Sequence, residues 1–308
     1  MRRRRVLALL LLFAPLTVLA QTYTPREIRF EGAEGTDSIE LLSVANLKPG
    51  APVTVAEIEA AMQRLGDTGR FSDIRYSVDA KALVFKLTLV AAAASLPIRY
   101  ANFVWWQPSE LEHLVETKVP LFHGSLPIRG SLTDQVEAAL VDLLREKGID
   151  ATVTTMESRG STAMLITRPQ ISLGEIHLQG AIPAVQLKFE EREQTMSDED
   201  FDLVASSEAI RQNAADVYQN AGYLDVATDP PAFSAPRLDE RAKLSKRYLV
   251  DATAIIHPGE VYRISRIDLP SPPPLSQSEL SHAADLKVGT PASASALRVA
   301  QAEIARAG

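Results

Sequence analysis

Apolar residues along this chain follow two periods, and the order of those periods repeats. Glu27-Ile28-Arg29-Phe30 alternates polar and apolar, the pattern of a half-buried strand, and Gly32 and Gly35 close the run. Asp37 caps a short helix over 38–45, and Leu47-Lys48-Pro49-Gly50 makes a turn. Thr54 then caps a stronger helix whose Ile58, Ala61, Met62 and Leu65 fall on one helical face. Two strands complete the unit: Phe71, Ile74, Tyr76 and Val78 on one, then 82–90 with Leu83, Phe85, Leu87 and Leu89 on a single face. The predicted order is β-α-α-β-β over 23–90.

The same order recurs over 96–169. Ile98-Arg99-Tyr100 with Phe103 and Trp105 reads as its first strand, and Leu111, Leu114 and Val115 as a short helix. Thr133 caps a long helix with Val136, Ala139, Leu140, Leu143 and Leu144 inward, and 150–156 and 162–167 form a hairpin. A third unit spans 172–258. It has a strand over 174–180, an acidic stretch over 182–195, a long helix over 206–220, and strands over 224–228 and 248–256. The insert between those strands, 229–246, reads as an exposed loop. A fourth unit, 260–308, offers a strand over 261–267, a proline run, and helices over 277–286 and 293–307. No closing hairpin follows, so this unit is expected to be incomplete.

One step punctuates the pattern. Each long helix ends at a glycine followed, in three copies, by an aromatic or branched apolar residue: Gly69-Arg70-Phe71, Gly148-Ile149 and Gly222-Tyr223, with a fourth glycine at Gly308. A spacing of roughly 80 residues marks one small fold used in tandem.

Composition narrows the setting. The chain is 46% hydrophobic and 23% charged with net charge −7, the profile of globular protein; with no basic stripe, no nucleic-acid partner is expected. Arg2–Arg5, an apolar run over 6–19 and Val18-Leu19-Ala20 together read as a cleaved secretory signal peptide, residues 1–20. No cysteine is present, so each unit must be held by its core and neighbours rather than by disulfides. The mature part is expected in the bacterial periplasm.

Candidate chemistry is sparse. The histidines at 113, 123, 177, 257 and 282 form no metal-binding spacing, and neither a nucleophile elbow nor a phosphate loop occurs. No catalytic, cofactor-binding or metal residue is assigned, and no enzyme activity is expected. Glu190-Glu191-Arg192-Glu193 and Asp198-Glu199-Asp200 read as a solvated acidic face or as a docking surface for a basic partner. If Trp105 and Trp106 lie on a strand, they point to opposite faces. One indole then joins the core, and the other lies at a module interface or on the surface.

The units resemble polypeptide-transport-associated (POTRA) domains of the outer-membrane protein assembly factor and surface-antigen superfamily. Three motifs carry the resemblance. The first is an opening strand ending in a polar-Gly step, Ile28 to Gly32 and Ile176 to Gly180. The second is a Leu-Lys-x-Gly-x-Pro turn, Leu47 to Pro52 and Leu286 to Pro291. The third is the glycine step into the next strand. The second unit lacks the first two.

The resemblance implies an α+β chain of small modules, each a three-stranded mixed sheet with two helices on one face. It also implies a periplasmic arm serving an outer-membrane β-barrel, in cis or in trans, with envelope lipoproteins as further partners. Such a sheet leaves an edge open to an extended client by β-augmentation. The edges expected to do this are Ser72, Ile74, Tyr76 and Val78; Ala151, Val153 and Thr155; and Leu224 and Val226. The clients would be unfolded outer-membrane or secreted proteins. A stand-alone envelope adaptor without a barrel remains the alternative, with an envelope enzyme of unrecognised site behind it.

Overall fold

The structure, a computed structural model, describes residues 22–79, 81–158, 160–196, 199–242, 246–268, 278, 282 and 284–307. The leader expected at 1–20, half of the helix expected at 277–286, and Gly308 lie outside them. The chain forms two compact units, Met1–Ser95 with Pro127–Leu132, and Leu96–Leu126 with Thr133–Gly308.

The first unit holds β1 (Thr22–Tyr23), β2 (Glu27–Glu31), α1 (Ser38–Ala45), β3 (Val53–Thr54), α2 (Val55–Asp67), β4 (Phe71–Val78) and β5 (Ala82–Leu89). The main sheet runs β2-β5-β4, with β2 parallel and β4 antiparallel to the central β5. Leu83, Phe85 and Leu87 of β5 are buried, as are Leu41 and Ala45 of α1 and Ile58, Ala61 and Leu65 of α2; Lys86 and Thr88 are exposed. Both helices therefore cover one face of the sheet and water covers the other. The expected caps are in place. Asp37 accepts the Ile39 N–H at 2.9 Å, and Thr54 and Glu57 form a reciprocal capping box.

The second unit repeats this plan twice. One sheet holds β6 (Ser95–Tyr100), β7 (Ser125–Pro127), β8 (Thr152–Ser158) and β9 (Ser161–Arg168) in the order β7-β6-β9-β8, with α3 (Pro108–Lys118) and α4 (Leu132–Glu146). The helix α4 begins at Leu132, so Thr133 lies inside it rather than capping it. The next sheet centres on β14 (Arg247–His257). It is parallel to β10 (Gln170–Gln179) on one side and antiparallel to β11 (Ala227–Thr228), β12 (Ala232–Phe233) and β13 (Arg237–Leu238) on the other. Two helices accompany it, α5 (Pro183–Met196) and α6 (Leu203–Asn220).

Several elements differ from the sequence reading. The acidic stretch 182–195 is a helix, α5, anchored by buried Val185, Phe189 and Met196 while Leu187 stays 65% exposed. The insert 229–246 is not a plain loop, because β12 and β13 pair with β14. Segment 261–267 is not a strand and keeps one bridge, Arg263 to Pro291. In the other three modules the opening strand lies parallel to the module's own last strand; no such strand occurs among the described residues of 260–308. The last helix, α7 (Ala294–Ala307), is formed as expected, with Ala300 buried and Leu297 and Val299 exposed.

The motifs acquire physical reasons. A Cβ on Gly32 would lie 2.1 Å from the Leu87 carbonyl oxygen, and one on Gly180 would lie 2.7 Å from that of Ile256. In both modules the chain leaves its first strand pressed against the central strand, which a side chain would prevent. The module without this glycine uses Asn102 instead. Its buried side chain donates to the Ile166 carbonyl at 3.0 Å and accepts the Ile166 N–H at 2.8 Å, extending the ladder by one rung. The turn glycine of the second motif clamps the opening segment of its module: Gly50 donates to Pro25 at 2.7 Å, and Gly289 to Ile264 at 2.7 Å.

Candidate functional site: the open sheet edges

The longest unbroken edge is β4. It pairs with β5 alone, so along its eight residues one side of the backbone meets no strand among the described residues. A bulge between Phe71 and Asp73 sets its register. Past the bulge Ile74, Tyr76 and Val78 stand opposite Leu87, Phe85 and Leu83, which places them on the helix-covered face. Ile74 and Val78 are half-buried and Tyr76 is 36% exposed, an apolar rim beside the open backbone. Ser72 is spent differently. It is the extra residue of the bulge, and its hydroxyl turns back to the Thr88 carbonyl at 3.2 Å. Asp73 and Arg75, paired at 2.9 Å, are exposed on the solvent face, where charge discourages edge-to-edge aggregation.

The second open edge is β8. Val153 is buried, and Thr155 donates to Glu137 of α4, so both face the helices; Met156 is 55% exposed. Ala151 precedes the strand, which begins at Thr152. The opposite side of this sheet is covered by β7.

The third expected edge is not a continuous strand. Leu224 sits in a turn, Val226 lies just before β11, and only Ala227 and Thr228 pair with β14. Pro230, Pro231 and Pro236 interrupt the stretch between β11 and β13. Proline lacks the N–H a ladder needs, so this edge is cut into three two-residue pieces. The β10 side of that sheet is partly covered as well. Leu173 donates to Glu199 at 3.0 Å and Phe201 to Ile171 at 2.8 Å, while the Ile176 N–H is taken by the Glu193 carboxylate at 2.6 Å. Burial raises the Glu193 carboxyl above the usual glutamate range, against the lowering effect of that N–H.

Trp105 and Trp106 lie in a turn after β6, so strand alternation does not govern them. Trp105 packs edge-on against Tyr248 of β14 at 5.2 Å, and Lys147 sits 4.9 Å over the Trp106 ring. Beside them Arg99 of β6 pairs with Asp202, the N-cap of α6, at 2.7 Å.

The glycine steps have a role that sequence reasoning missed. Gly69, Gly148 and Gly222 all adopt positive φ, ending α2, α4 and α6. Two of them also seat the segment that leads into the next long helix. A Cβ on Gly69 would lie 1.7 Å from the Arg129 carbonyl oxygen; one on Gly222 would lie 2.9 Å from the Pro291 Cβ. Gly148 would meet nothing within 4 Å. The conformational need for glycine is legible in sequence, but the docked backbone is not.

Among the described residues no group of three or more His, Asp or Glu side chains is placed to hold a metal ion, and no helix is long and apolar enough to cross a membrane.

Residues 23–90 match the family described as POTRA, surface antigen variable number repeat. No curated protein matches the chain. Among the solved structures similar to it are three segments of larger proteins. One is the POTRA3-5 segment of Haemophilus influenzae BamA, at 13% identity over 79% of this chain and 100% of that one, TM-score 0.25. Another is the N-terminal domain of Omp85 from Thermosynechococcus elongatus, at 10% identity over 77% and 98%, TM-score 0.26. The third is POTRA1-3 of the periplasmic domain of Omp85 from Anabaena, at 10% identity over 77% and 97%, TM-score 0.23.

Proposed function

We propose that this tandem of POTRA modules is a periplasmic scaffold that holds unfolded outer-membrane or secreted polypeptides in extended form, as one part of outer-membrane assembly or secretion. The observation that supports this most is β4: eight residues of edge backbone, open on one side and flanked by Ile74, Tyr76 and Val78, in the module that matches the family. In an antiparallel ladder alternate residues face the partner, so about four residues of β4 are offered outward. Each backbone hydrogen bond gained contributes roughly 0.5–1.5 kcal/mol net. Ordering each client residue costs about 1–2 kcal/mol. The balance is weak, reversible holding, which suits a scaffold that must release its client. The main chain supplies the affinity and is common to all clients, and the apolar rim supplies preference.

The experiment is site-specific photocrosslinking. Benzoylphenylalanine in place of Tyr76 should crosslink a urea-unfolded outer-membrane barrel protein diluted into buffer. The same group in place of Lys86, on the central strand β5, should not. Equal yields at the two positions would remove the edge assignment.

A further inference from the structure

The helix α2 lies over β4, the open edge strand, while α1 lies over β2. Its buried stripe, Ile58, Ala61 and Leu65, faces the sheet. Met62 and Gly66 come next on the flank turned to β4, where a Cβ on Gly66 would meet Ile74 Cδ1 at 3.7 Å. Met62 is half-buried and Gly66 is exposed. Residues four apart are neighbours on a helix, and the side chain of the later one leans back over the earlier. With glycine at 66, the strip between Met62 and Ile74 is bare helix backbone, open on the side where a further strand would lie.

Nothing in the fold requires this glycine. Each of the other described glycines either has a positive φ or, at Gly174, would press a Cβ to 2.1 Å from an Asp251 carboxylate oxygen. Gly66 has neither constraint: its φ is outside the left-handed region, and 3.7 Å is ordinary van der Waals contact. Alanine would fit there and would hold the helix better, because glycine leaves the unfolded chain more freedom to lose. A stability-lowering choice beside an open strand edge is the kind of local inconsistency that marks a functional position.

The backbone of β4 indicates what uses the space. Asp79 donates to the Ala82 carbonyl at 2.9 Å, so Ser77 with Val84 and Arg75 with Lys86 are the hydrogen-bonded pairs of the hairpin. The N–H and C=O groups of Ile74, Tyr76 and Val78 therefore point away from β5. In a strand added there, the residue opposite Ile74 carries its side chain on the helix-covered face, beside Ile74 and beneath Gly66. Met62, Ile74 and Tyr76, the side chains it meets, carry no charge.

We propose that Gly66 opens a notch for the client side chain paired opposite Ile74, and that the notch selects a large apolar side chain there, of leucine or phenylalanine size. This rests on the proposed client-holding function at β4 and adds a preference to it. A side chain at 66 would fill the notch and leave the client only the strand edge.

The test uses the full labelled chain and two peptides of alternating threonine and valine that differ only at one central residue, leucine or alanine. Titrations followed by the Ile74 and Tyr76 amide shifts should show the leucine peptide binding roughly fivefold tighter, the scale of half-burying one leucine side chain. Gly66→Ala should slow hydrogen exchange in α2 roughly two- to fivefold while narrowing that preference. Gly66→Gln should abolish the preference and leave binding of the alanine peptide unchanged. A stabler helix with a lost preference is what a merely structural glycine would not give. Three results overturn the proposal: equal binding of the two peptides to the parent chain, a preference kept in Gly66→Gln, or α2 exchange not slowed in Gly66→Ala. In all three the β4 amides still shift and client-holding stands; no β4 shift with either peptide removes client-holding and the notch with it.

Discussion

Replacing Gly69 with alanine should lift the strap 127–132 from the end of α2, whereas the same change at Gly148 should not disturb its surroundings. Both glycines have positive φ, +77° and +76°, so both substitutions carry the strain of a left-handed alanine, about 1–2 kcal/mol. Only Gly69 adds a collision: its Cβ would lie 1.7 Å from the Arg129 carbonyl oxygen and 2.8 Å from the carbonyl carbon, both backbone atoms that no rotamer change can move. Relief requires the strap to withdraw. Withdrawal breaks the Ser131 N–H to Asp67 carbonyl bond at 2.6 Å, worth about 0.5–1.5 kcal/mol, and begins to uncover Leu132, whose full burial is worth about 1.5–3 kcal/mol. The difference between the two variants is therefore about 2–4 kcal/mol, or roughly 30- to 1,000-fold in the opening equilibrium of the strap. Hydrogen exchange of the Ser131 amide reads this directly, and trypsin cleavage after the exposed Arg129 reports it independently. If Gly69→Ala leaves Ser131 exchange within a few-fold of Gly148→Ala, the strap is not seated by the glycine.

Three further outcomes rest on particular contacts. Asn102→Ala leaves both polar groups of Ile166 unpaired in a buried site, and should cost about 2–4 kcal/mol, seen as a lowered thermal midpoint and faster exchange in β9. Thr54→Ala removes the capping box of α2 and should cost about 1 kcal/mol, read by denaturant unfolding of the first unit. Glu193 sets a pH dependence. Its folded-state carboxyl titrates above the ordinary glutamate range, mainly through burial, so between the unfolded and folded values the native chain holds a proton that the unfolded chain has released. Stability should fall as pH rises through that window, and Glu193→Gln should flatten the profile, with the Ile176 amide shift following the titration in the parent chain.

What sequence conveys here depends on how local the cause is. The period of Leu83, Phe85 and Leu87, the caps at Asp37 and Thr54, and the glycines ending the long helices are set within a few residues, and each reads correctly. The helix α5 is hidden because its exposed Leu187 and clustered glutamates blur the apolar stripe of Val185, Phe189 and Met196. Segment 261–267 has strand alternation, yet a strand needs a partner along its edge, and pattern alone does not reveal whether one is present. The edge at β4 is legible because it is set by module order. The broken edge at Leu224 and Val226 depends on where Pro230, Pro231 and Pro236 meet β14, which only the pairing shows. Asn102 carries no local signal, since it gains its meaning from Ile166, far along the chain.

The central claim is that a client adds to β4 as a strand. Residue-resolved hydrogen exchange of the chain, with and without saturating unfolded barrel peptide, tests it most directly. Strand addition protects only the N–H groups that face outward, so new protection should fall on every second residue of Phe71–Val78 and leave β5 unchanged. Uniform protection along β4, or protection confined to the solvent face around Lys86 and Thr88, would contradict it.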